Sequence, residues 1–213
     1  SIEVSLHIGS FLAVIFYFKK DIFNFFKNRE LFYKIIISSI PVMIAGYILV
    51  KFNLIDYIRN IKTIGWTTFL FGILLYLSDK FKCSKNMNKS FNYKAAIFIG
   101  MFQIFSLIPG VSRSGITITA GRFLEFKRVE AARVSFLLSI PTLAAVSFFG
   151  VSNLINSGNI NFSLINLFSI VLSFIFSLIT IKYFLKYIKN FSLKIFVIYR
   201  LILGMIILFI AYL

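Results

Sequence analysis

The segment from Leu107 to Gly121 reads Leu-Ile-Pro-Gly-Val-Ser-Arg-Ser-Gly-Ile-Thr-Ile-Thr-Ala-Gly. It places one guanidinium, four hydroxyls and three glycines inside an otherwise apolar sequence. Lipid offers no partners for polar side chains or unpaired backbone groups, so this stretch has to line a cavity enclosed by protein. Pro109-Gly110 should end one helix, and a second helix should begin near Gly115.

The chemistry of this stretch suits an oxyanion. A helix that begins near Gly115 points its free N–H groups and the positive end of its dipole back at the break. Arg113 can donate two parallel hydrogen bonds to phosphate oxygens, and Ser112, Ser114 and Thr117 add neutral donors. The alternative interpretation is a Pro-Gly kink whose hydroxyls bond to the backbone.

Composition places the whole chain in a membrane. Its 213 residues are 59% hydrophobic, with a mean hydropathy of +0.91, which indicates a polytopic helical membrane protein. The net charge of +16 is concentrated in short loops between apolar runs. This pattern favours loops that face anionic phospholipids and argues against nucleic acid as a partner. The single cysteine, Cys83, excludes a disulfide within the chain and suggests no metal cluster.

Apolar runs outside the central stretch predict six transmembrane helices, over residues 2–18, 31–50, 63–78, 131–150, 163–185 and 195–213. The two apolar pieces around Pro109-Gly110 are too short to cross about 30 Å of hydrocarbon. They predict one re-entrant helical hairpin over residues 95–124, within an all-α fold. With the hairpin returning to its own side, the lysine-bearing loops 19–30, 79–94 and 186–194 are all cytoplasmic, as the positive-inside rule requires.

A short internal sequence similarity suggests an inverted repeat. Val4-Ser5-Leu6 opens the first apolar run much as Val134-Ser135-Phe136 opens the fourth. We interpret residues 1–213 as a single integral membrane domain, in which 1–79 is the remainder of a first repeat and 95–213 is the second. The hairpin then has no counterpart in the first repeat, so one repeat is incomplete, and the counterpart is expected to precede Ser1.

The central motif resembles a known family. Pro109-Gly110-Val111-Ser112-Arg113-Ser114-Gly115, followed by Thr117 and by Ala-Ala-Arg-Val-Ser-Phe-Leu-Leu-Ser-Ile-Pro at 131–141, is similar to undecaprenyl-diphosphate phosphatase, the bacitracin-resistance family. Residues 3–10 and 198–201 are similar as well. The resemblance implies a hydrolase of the bacterial plasma (inner) membrane, with Mg²⁺ or Ca²⁺ as cofactor. It would convert undecaprenyl diphosphate to undecaprenyl phosphate and inorganic phosphate, recycling the lipid carrier for cell-wall synthesis.

The resemblance also implies a phosphate site, formed by Gly110, Ser112, Arg113, Ser114, Gly115 and Thr117. Arg113 and Ser112 are the candidate catalytic residues. We prefer Ser112 and Ser114 as hydrogen-bond donors rather than nucleophiles, because neither has a visible general base. Three further residues are candidate supports, namely Arg200, Glu3 and His7.

The supporting residues leave alternatives open. Arg200 lies within a predicted span and needs a partner there, either in an ion pair or in a contact to phosphate. Glu3 and His7 are four residues apart, so they can meet on one helix face. A structural hydrogen bond is the simpler role for that pair.

One part of the family pattern is absent from this sequence. The family carries paired glutamates followed by Pro-Val-Ser-Ser-Thr-Gly-His near its N-terminus, and nothing here matches that motif. We expect the metal ligands in that missing segment, and we expect the 213 residues to be inactive alone. Glu125 and Glu130, the acids nearest the motif, are interpreted as surface carboxylates.

Two other functions remain as alternatives. A transporter or flippase for an anionic, phosphorylated substrate also uses broken helices at the membrane midplane. A non-catalytic scaffold is disfavoured, because it has no use for a costly arginine at that depth. The expected partner is undecaprenyl diphosphate in the bilayer, and a homodimer stays open beside a monomer.

Overall fold

The computed structural model of the chain describes residues 2–27, 29–156 and 164–213. Within these ranges the regular structure is helical, apart from one isolated bridge between Lys85 and Phe126. The helices are α1 Ile2–Tyr17, α2 Lys19–Lys27, α3 Arg29–Lys51, α4 Ile55–Ile58, α5 Ile61–Asp79, α6 Met87–Ser90, α7 Tyr93–Ile104, a 3₁₀ turn Phe105–Leu107, α8 Arg113–Phe123, α9 Arg128–Asn156, α10 Leu164–Asn190 and α11 Lys194–Tyr212.

Five of these helices are long and apolar enough to cross a membrane. They are α3, α5, α9, α10 and α11, and each has at least 19 residues. The chain is therefore an all-helical, multi-pass membrane protein. The sixth predicted span corresponds to α1, an apolar helix of 16 residues, and it stays a prediction.

Two sequence-based boundaries are wrong. The predicted loop 19–30 is largely the helix α2. Its apolar residues Ile22 and Phe26 are four positions apart and so share one face of a helix, which suits a helix at a membrane surface. The predicted loop 151–162 begins inside α9, which continues to Asn156, and its remaining residues lie outside the described ranges. Pro41 and Pro141 lie within α3 and α9.

The described chain separates into two compact units, Ser1–Ile35 with Phe136–Tyr187, and Ile36–Ser135 with Ile188–Leu213. This division does not follow the predicted repeats, which stay a prediction. In the first unit α1 packs closely on α10: a Cβ added to Gly9 would lie 2.4 Å from the carbonyl oxygen of Ile170. Beside it the hydroxyl of Ser10 is 3.0 Å from that of Ser173 and 3.1 Å from that of Ser177.

The second unit is built on the pair α5 and α11. Small residues let the two helices approach: a Cβ on Gly204 would lie 2.9 Å from the backbone nitrogen of Phe69, and one on Gly65 would lie 2.8 Å from Leu208. Membrane helices commonly use glycine in this way, since lipid gives little hydrophobic drive for association.

The segment α7–α8 packs in this same unit and carries the central motif at its turn. Its two outer ends are joined, because the N–H of Lys85 donates to the carbonyl of Glu125 and the N–H of Lys127 donates to the carbonyl of Lys85, each at 3.0 Å. We call residues 93–123 the α7–α8 hairpin, residues 108–115 its tip, and the joined ends its base.

Candidate anion site at the hairpin tip

The tip reverses the chain through backbone that favours glycine. Gly110 has φ +91°, and Ser112 has φ +67°. A Cβ on Gly110 would also lie 2.3 Å from the hydroxyl oxygen of Thr67 and 2.6 Å from the carbonyl oxygen of Ile64. The glycine is therefore needed both for its conformation and for its close approach to α5.

Side chains of α5 and α11 fix the carbonyl groups of the tip. The hydroxyl of Thr67 donates to Pro109, and the hydroxyl of Thr68 donates to the carbonyl oxygen of Gly110 at 3.2 Å. Arg200 donates from Nη2 to the same Gly110 oxygen at 3.0 Å, and to the carbonyl of Thr68 at 3.4 Å. The electronegative side of this turn is thus occupied by protein donors.

Ser112 determines where α8 begins. Its Oγ accepts the N–H of Gly115 at 3.3 Å, and its carbonyl accepts the N–H of Ile116 at 3.0 Å. Ser112 is therefore the N-cap, and α8 starts at Arg113, whereas the sequence predicted a start near Gly115. The correction places Arg113, Ser114 and Gly115 in the first helical turn, where N–H groups have no partner within the helix.

Thr117 stands behind this first turn. Its hydroxyl donates to the carbonyl of Arg113 at 2.9 Å or that of Ser114 at 3.2 Å, and it lies 2.7 Å from the hydroxyl of Ser135 in the second turn of α9. Thr117 is 1% exposed. Its described contacts support the backbone of the site, and its predicted contact with phosphate stays a prediction.

Two guanidinium groups belong to this tip. Arg113 is half-buried at the start of α8. Arg200 is 9% exposed, and its Nη1 would lie 3.4 Å from a Cβ placed on Gly115. Within the described residues, Arg200 binds carbonyl oxygens and forms no ion pair with a carboxylate. The open question about Arg200 is answered in part: its partners are the backbone of Thr68 and of Gly110.

Glu3 and His7, the other candidate supports, lie on α1 in the first compact unit, and their supporting role stays a prediction. The two acids nearest the motif in sequence have partners within the second unit. Glu125 pairs with Lys85 at 2.9 Å, and the carboxylate of Glu130 accepts the N–H of Met87 at 3.0 Å. Both acids are thus engaged at the base of the hairpin.

The residues at the tip do not fit a divalent cation. Mg²⁺ and Ca²⁺ prefer carboxylate and carbonyl oxygens, whereas the tip offers hydroxyls and two cationic groups, with its turn carbonyls already bonded. Across residues 2–27, 29–156 and 164–213, no group of three or more His, Cys, Asp or Glu side chains is placed to hold a metal ion.

Sequence reasoning missed three residues that matter to the hairpin. Thr67 and Thr68 hold the tip, and Asp79 organises the base, where its carboxylate is bound by Arg128 at 2.6 and 3.1 Å. The sequence showed two adjacent hydroxyls inside an apolar span and a lone acid at the end of that span. Neither feature indicates which residues it contacts in the fold.

These features define a helical, multi-pass membrane protein with a cationic turn set among apolar helices. The chain matches the family model described as Bacitracin resistance protein BacA over residues 1–206, and it belongs to the BacA family.

Relatives with one shared name resemble the chain over nearly its whole length. A protein of Pelagibacter ubique (strain HTCC1062), named undecaprenyl-diphosphatase, is 47% identical over 212 residues, which are 99% of this chain and 82% of the relative. A protein of that name from Jannaschia sp. (strain CCS1) is 36% identical over 225 residues, which are 100% of this chain and 84% of the relative. One from Aliivibrio salmonicida (strain LFI1238) is 37% identical over 216 residues, which are 95% of this chain and 80% of the relative.

Proposed function

We propose that the protein is a membrane-bound phosphatase that hydrolyses undecaprenyl diphosphate to undecaprenyl phosphate and inorganic phosphate, recycling the lipid carrier for cell-wall synthesis in the bacterial inner membrane. Its membership of the BacA family and the shared name of its relatives support this activity. The observation that carries the assignment to particular residues is the tip, where Arg113 opens a capped helix beside Arg200.

We further propose that the α7–α8 hairpin is re-entrant. The 12 residues of α7 and the 11 of α8 span about 18 and 17 Å at ~1.5 Å per residue, well short of ~30 Å of hydrocarbon. The hydrogen bonds between Lys85 and residues 125–127 support entry and exit at one membrane face. The tip then lies at membrane depth, where lipid-linked phosphate needs protein partners.

The tip suits a diphosphate because its donors and acceptors are separated. Donors from Thr67, Thr68 and Arg200 occupy the carbonyls of Pro109 and Gly110. The first turn of α8 supplies N–H groups and the positive end of the helix dipole. In this proposal the Arg113 guanidinium binds two oxygens of the terminal phosphate and stabilises the negative charge of the phosphoryl group in the transition state of its transfer.

Ser112 is assigned the role of a donor in the same proposal. Its oxygen accepts the N–H of Gly115, which leaves the hydroxyl proton for a phosphate oxygen. Its left-handed backbone is a local strain of the kind that persists where the surroundings enforce it, as at binding sites. Ser114 adds a second hydroxyl in the first turn.

The divalent cation implied by the family resemblance remains a proposal as well. Such an ion supplies charge neutralisation to a diphosphate. The described residues do not provide its ligands, so no step of the reaction is assigned to it.

The activity is tested with the protein expressed from its complete reading frame and purified in detergent, by measuring phosphate release from undecaprenyl diphosphate with Mg²⁺ present. Arg113→Ala should lower turnover by about 10²- to 10³-fold, the usual cost of removing a preorganised charge-stabilising donor. Arg113→Lys should recover only part of this, because an ammonium group cannot bind two oxygens in the forked geometry.

Arg59→Ala is the matched control, since Arg59 is exposed on the connection between α4 and α5. Its turnover should equal that of the parent. A folded protein that binds the lipid tightly without releasing phosphate would favour the transporter alternative.

A further inference from the structure

A second polar site lies at the base of the hairpin, away from the tip. It is a cavity of about 520 Å³ lined by residues 79–83, Arg122, residues 127–130 and residues 188–189. These segments are the end of α5, the exit of α8, the first turn of α9 and the end of α10. All of them belong to one compact unit. The volume is within the range of about 300 to 1,000 Å³ that small-molecule sites occupy.

On the floor of this cavity, the negative charge of Asp79 is balanced by arginines. Asp79 is 8% exposed and accepts hydrogen bonds from Arg128 at 2.6 and 3.1 Å and from the N–H of Leu193 at 3.0 Å. Arg122 lies 3.5 Å from the same carboxylate and donates to three carbonyl oxygens, those of Asp79, Phe81 and Phe126. The Asp79 carboxylate is therefore already neutralised, and it does not attract a further cation.

The walls of the cavity carry a net positive charge. Six cationic and two anionic side chains line it. Four of the cations are exposed lysines, namely Lys80, Lys82, Lys127 and Lys189. Within the described part of the chain these four form no ion pair, and Lys80 lies over the ring of Tyr76 at 4.5 Å.

The first turn of α9 adds polar donors to one wall. This helix of 29 residues begins at Arg128, and residues 128–130 line the cavity. The carboxylate of Glu130, the acid of that wall, is bonded to the N–H of Met87. The Nε and one Nη2 hydrogen of Arg128 bind Asp79, which leaves its Nη1 group outside that ion pair. The guanidinium of Arg128 and four lysine side chains thus line one space beside the N-terminal turn of α9.

We propose that this cavity binds a phosphate-bearing anion, and that its source is the headgroup of an anionic phospholipid in the adjoining leaflet. The cavity lies where α5 and α10 end, and both helices are long and apolar enough to cross the membrane. Its lysines lie at helix ends and connections that the positive-inside rule assigns to the cytoplasmic face, where juxtamembrane lysine and arginine attract anionic lipids. This site is separate from the proposed reaction at the tip.

Cys83 provides a direct readout, because it lines the cavity and is the single cysteine of the chain. The test measures its alkylation rate by neutral N-ethylmaleimide in detergent, with added dioctanoyl phosphatidylglycerol, dioctanoyl phosphatidylcholine or inorganic phosphate. Phosphatidylglycerol at ten times its Kd should slow alkylation about tenfold, since about one cavity in ten then stays empty. Phosphatidylcholine should leave the rate unchanged.

Two double variants separate a built site from diffuse attraction. Lys82→Gln with Lys127→Gln removes two charges from the cavity, and Lys89→Gln with Lys94→Gln removes two exposed charges near the same hairpin base but outside the cavity. The first pair should need at least about tenfold more phosphatidylglycerol for the same protection, whereas the second should behave like the parent.

Each outcome of these measurements decides the proposal. The proposal would be overturned if both double variants lost protection by phosphatidylglycerol equally. It would also be overturned if neither phosphatidylglycerol nor inorganic phosphate slowed alkylation. Equal protection by inorganic phosphate at the same concentration would support the anion site and assign it to free phosphate rather than to lipid. Because the readout is alkylation, loss of phosphatase activity in the tip variants bears on none of these results.

Discussion

The tip and the base of the α7–α8 hairpin both contain arginines, but these arginines have different partners. At the base, Arg122 and Arg128 share the buried carboxylate of Asp79. At the tip, Arg200 binds backbone carbonyls, and Arg113 stands at the positive end of α8. The base also has its main chain joined across Lys85, whereas the tip has left-handed backbone at Gly110 and Ser112.

The difference separates two uses of charge within one membrane segment. Where a buried guanidinium meets a carboxylate, removing one partner leaves an uncompensated charge, so the pair holds the fold together. Where Arg200 is bonded to backbone carbonyls beside the N-terminus of α8, its charge is not neutralised by those dipoles, and the local field favours an anion. We therefore propose that the Asp79 ion pairs at the base maintain structure and that the tip binds the substrate.

The largest expected effect on stability is at the base. Asp79→Asn should lower the free energy of unfolding by about 3 kcal/mol, because it leaves the buried guanidinium of Arg122 and the partly exposed one of Arg128 without their counter-charge. The control is Glu125→Gln, which removes a carboxylate from the exposed pair with Lys85 and should cost at most about 1 kcal/mol. Thermal unfolding in detergent measures both. Equal, small losses would show that the base network does not hold the fold.

The next effect is on turnover at the tip. Gly110→Ala should reduce phosphate release by about 10²-fold, because the added methyl group cannot fit beside Thr67 and the shifted turn misplaces Arg113. Gly46→Ala is the matched control, since its Cβ would meet only Leu107 at an ordinary 3.6 Å. A Gly110→Ala protein with the turnover of its parent would contradict the tight fit of the tip.

Substitutions of Ser112 distinguish a cap from a nucleophile. Ser112→Ala should cost about 1 kcal/mol of stability through the lost cap, whereas Ser112→Gly should cost a few tenths and relieve the left-handed φ. If the hydroxyl is a donor, both variants keep measurable turnover, at about a tenth of the parent rate. Turnover lost as completely as in Arg113→Ala would assign Ser112 as the nucleophile.

The smallest effect concerns the thiol at the base. Burial raises the pKa of Cys83, and the nearby Arg122 opposes that rise. A raised pKa means less thiolate at neutral pH, so alkylation should be slower than that of a free thiol and should accelerate as the pH rises through the raised value. The rate of N-ethylmaleimide addition against pH, compared with that of an exposed model cysteine peptide, measures it. A thiol that reacts as fast as the peptide at pH 7 would contradict the burial of this site.

Polarity within an apolar sequence made the class of protein and the turn between α7 and α8 predictable. An arginine with four hydroxyls inside an apolar sequence needs protein partners, and Pro109-Gly110 marks the break between two helices. The re-entrant course and the phosphate contacts stay proposals. The start of α8 was misplaced because Ser112 caps the helix from a left-handed conformation that serine rarely adopts.

The base could not be predicted for a different reason. Asp79 bonds to Arg122 and Arg128, which follow it by 43 and 49 residues. Only the return of the hairpin brings these residues together, so the sequence shows three ordinary loop charges. The tip supports of Thr67 and Thr68 are hidden in the same way, since α5 reads as an uninterrupted apolar span.

The most direct measurement of the central claim compares Arg113→Ala with Asp79→Asn, recording phosphate release and thermal unfolding on the same detergent samples. Arg113→Ala should unfold close to the parent temperature and lose about 10²- to 10³-fold in turnover. Asp79→Asn should unfold at a clearly lower temperature and keep turnover per folded molecule within about tenfold of the parent. A folded Arg113→Ala protein that releases phosphate at the parent rate would contradict the assignment of the tip as the substrate site.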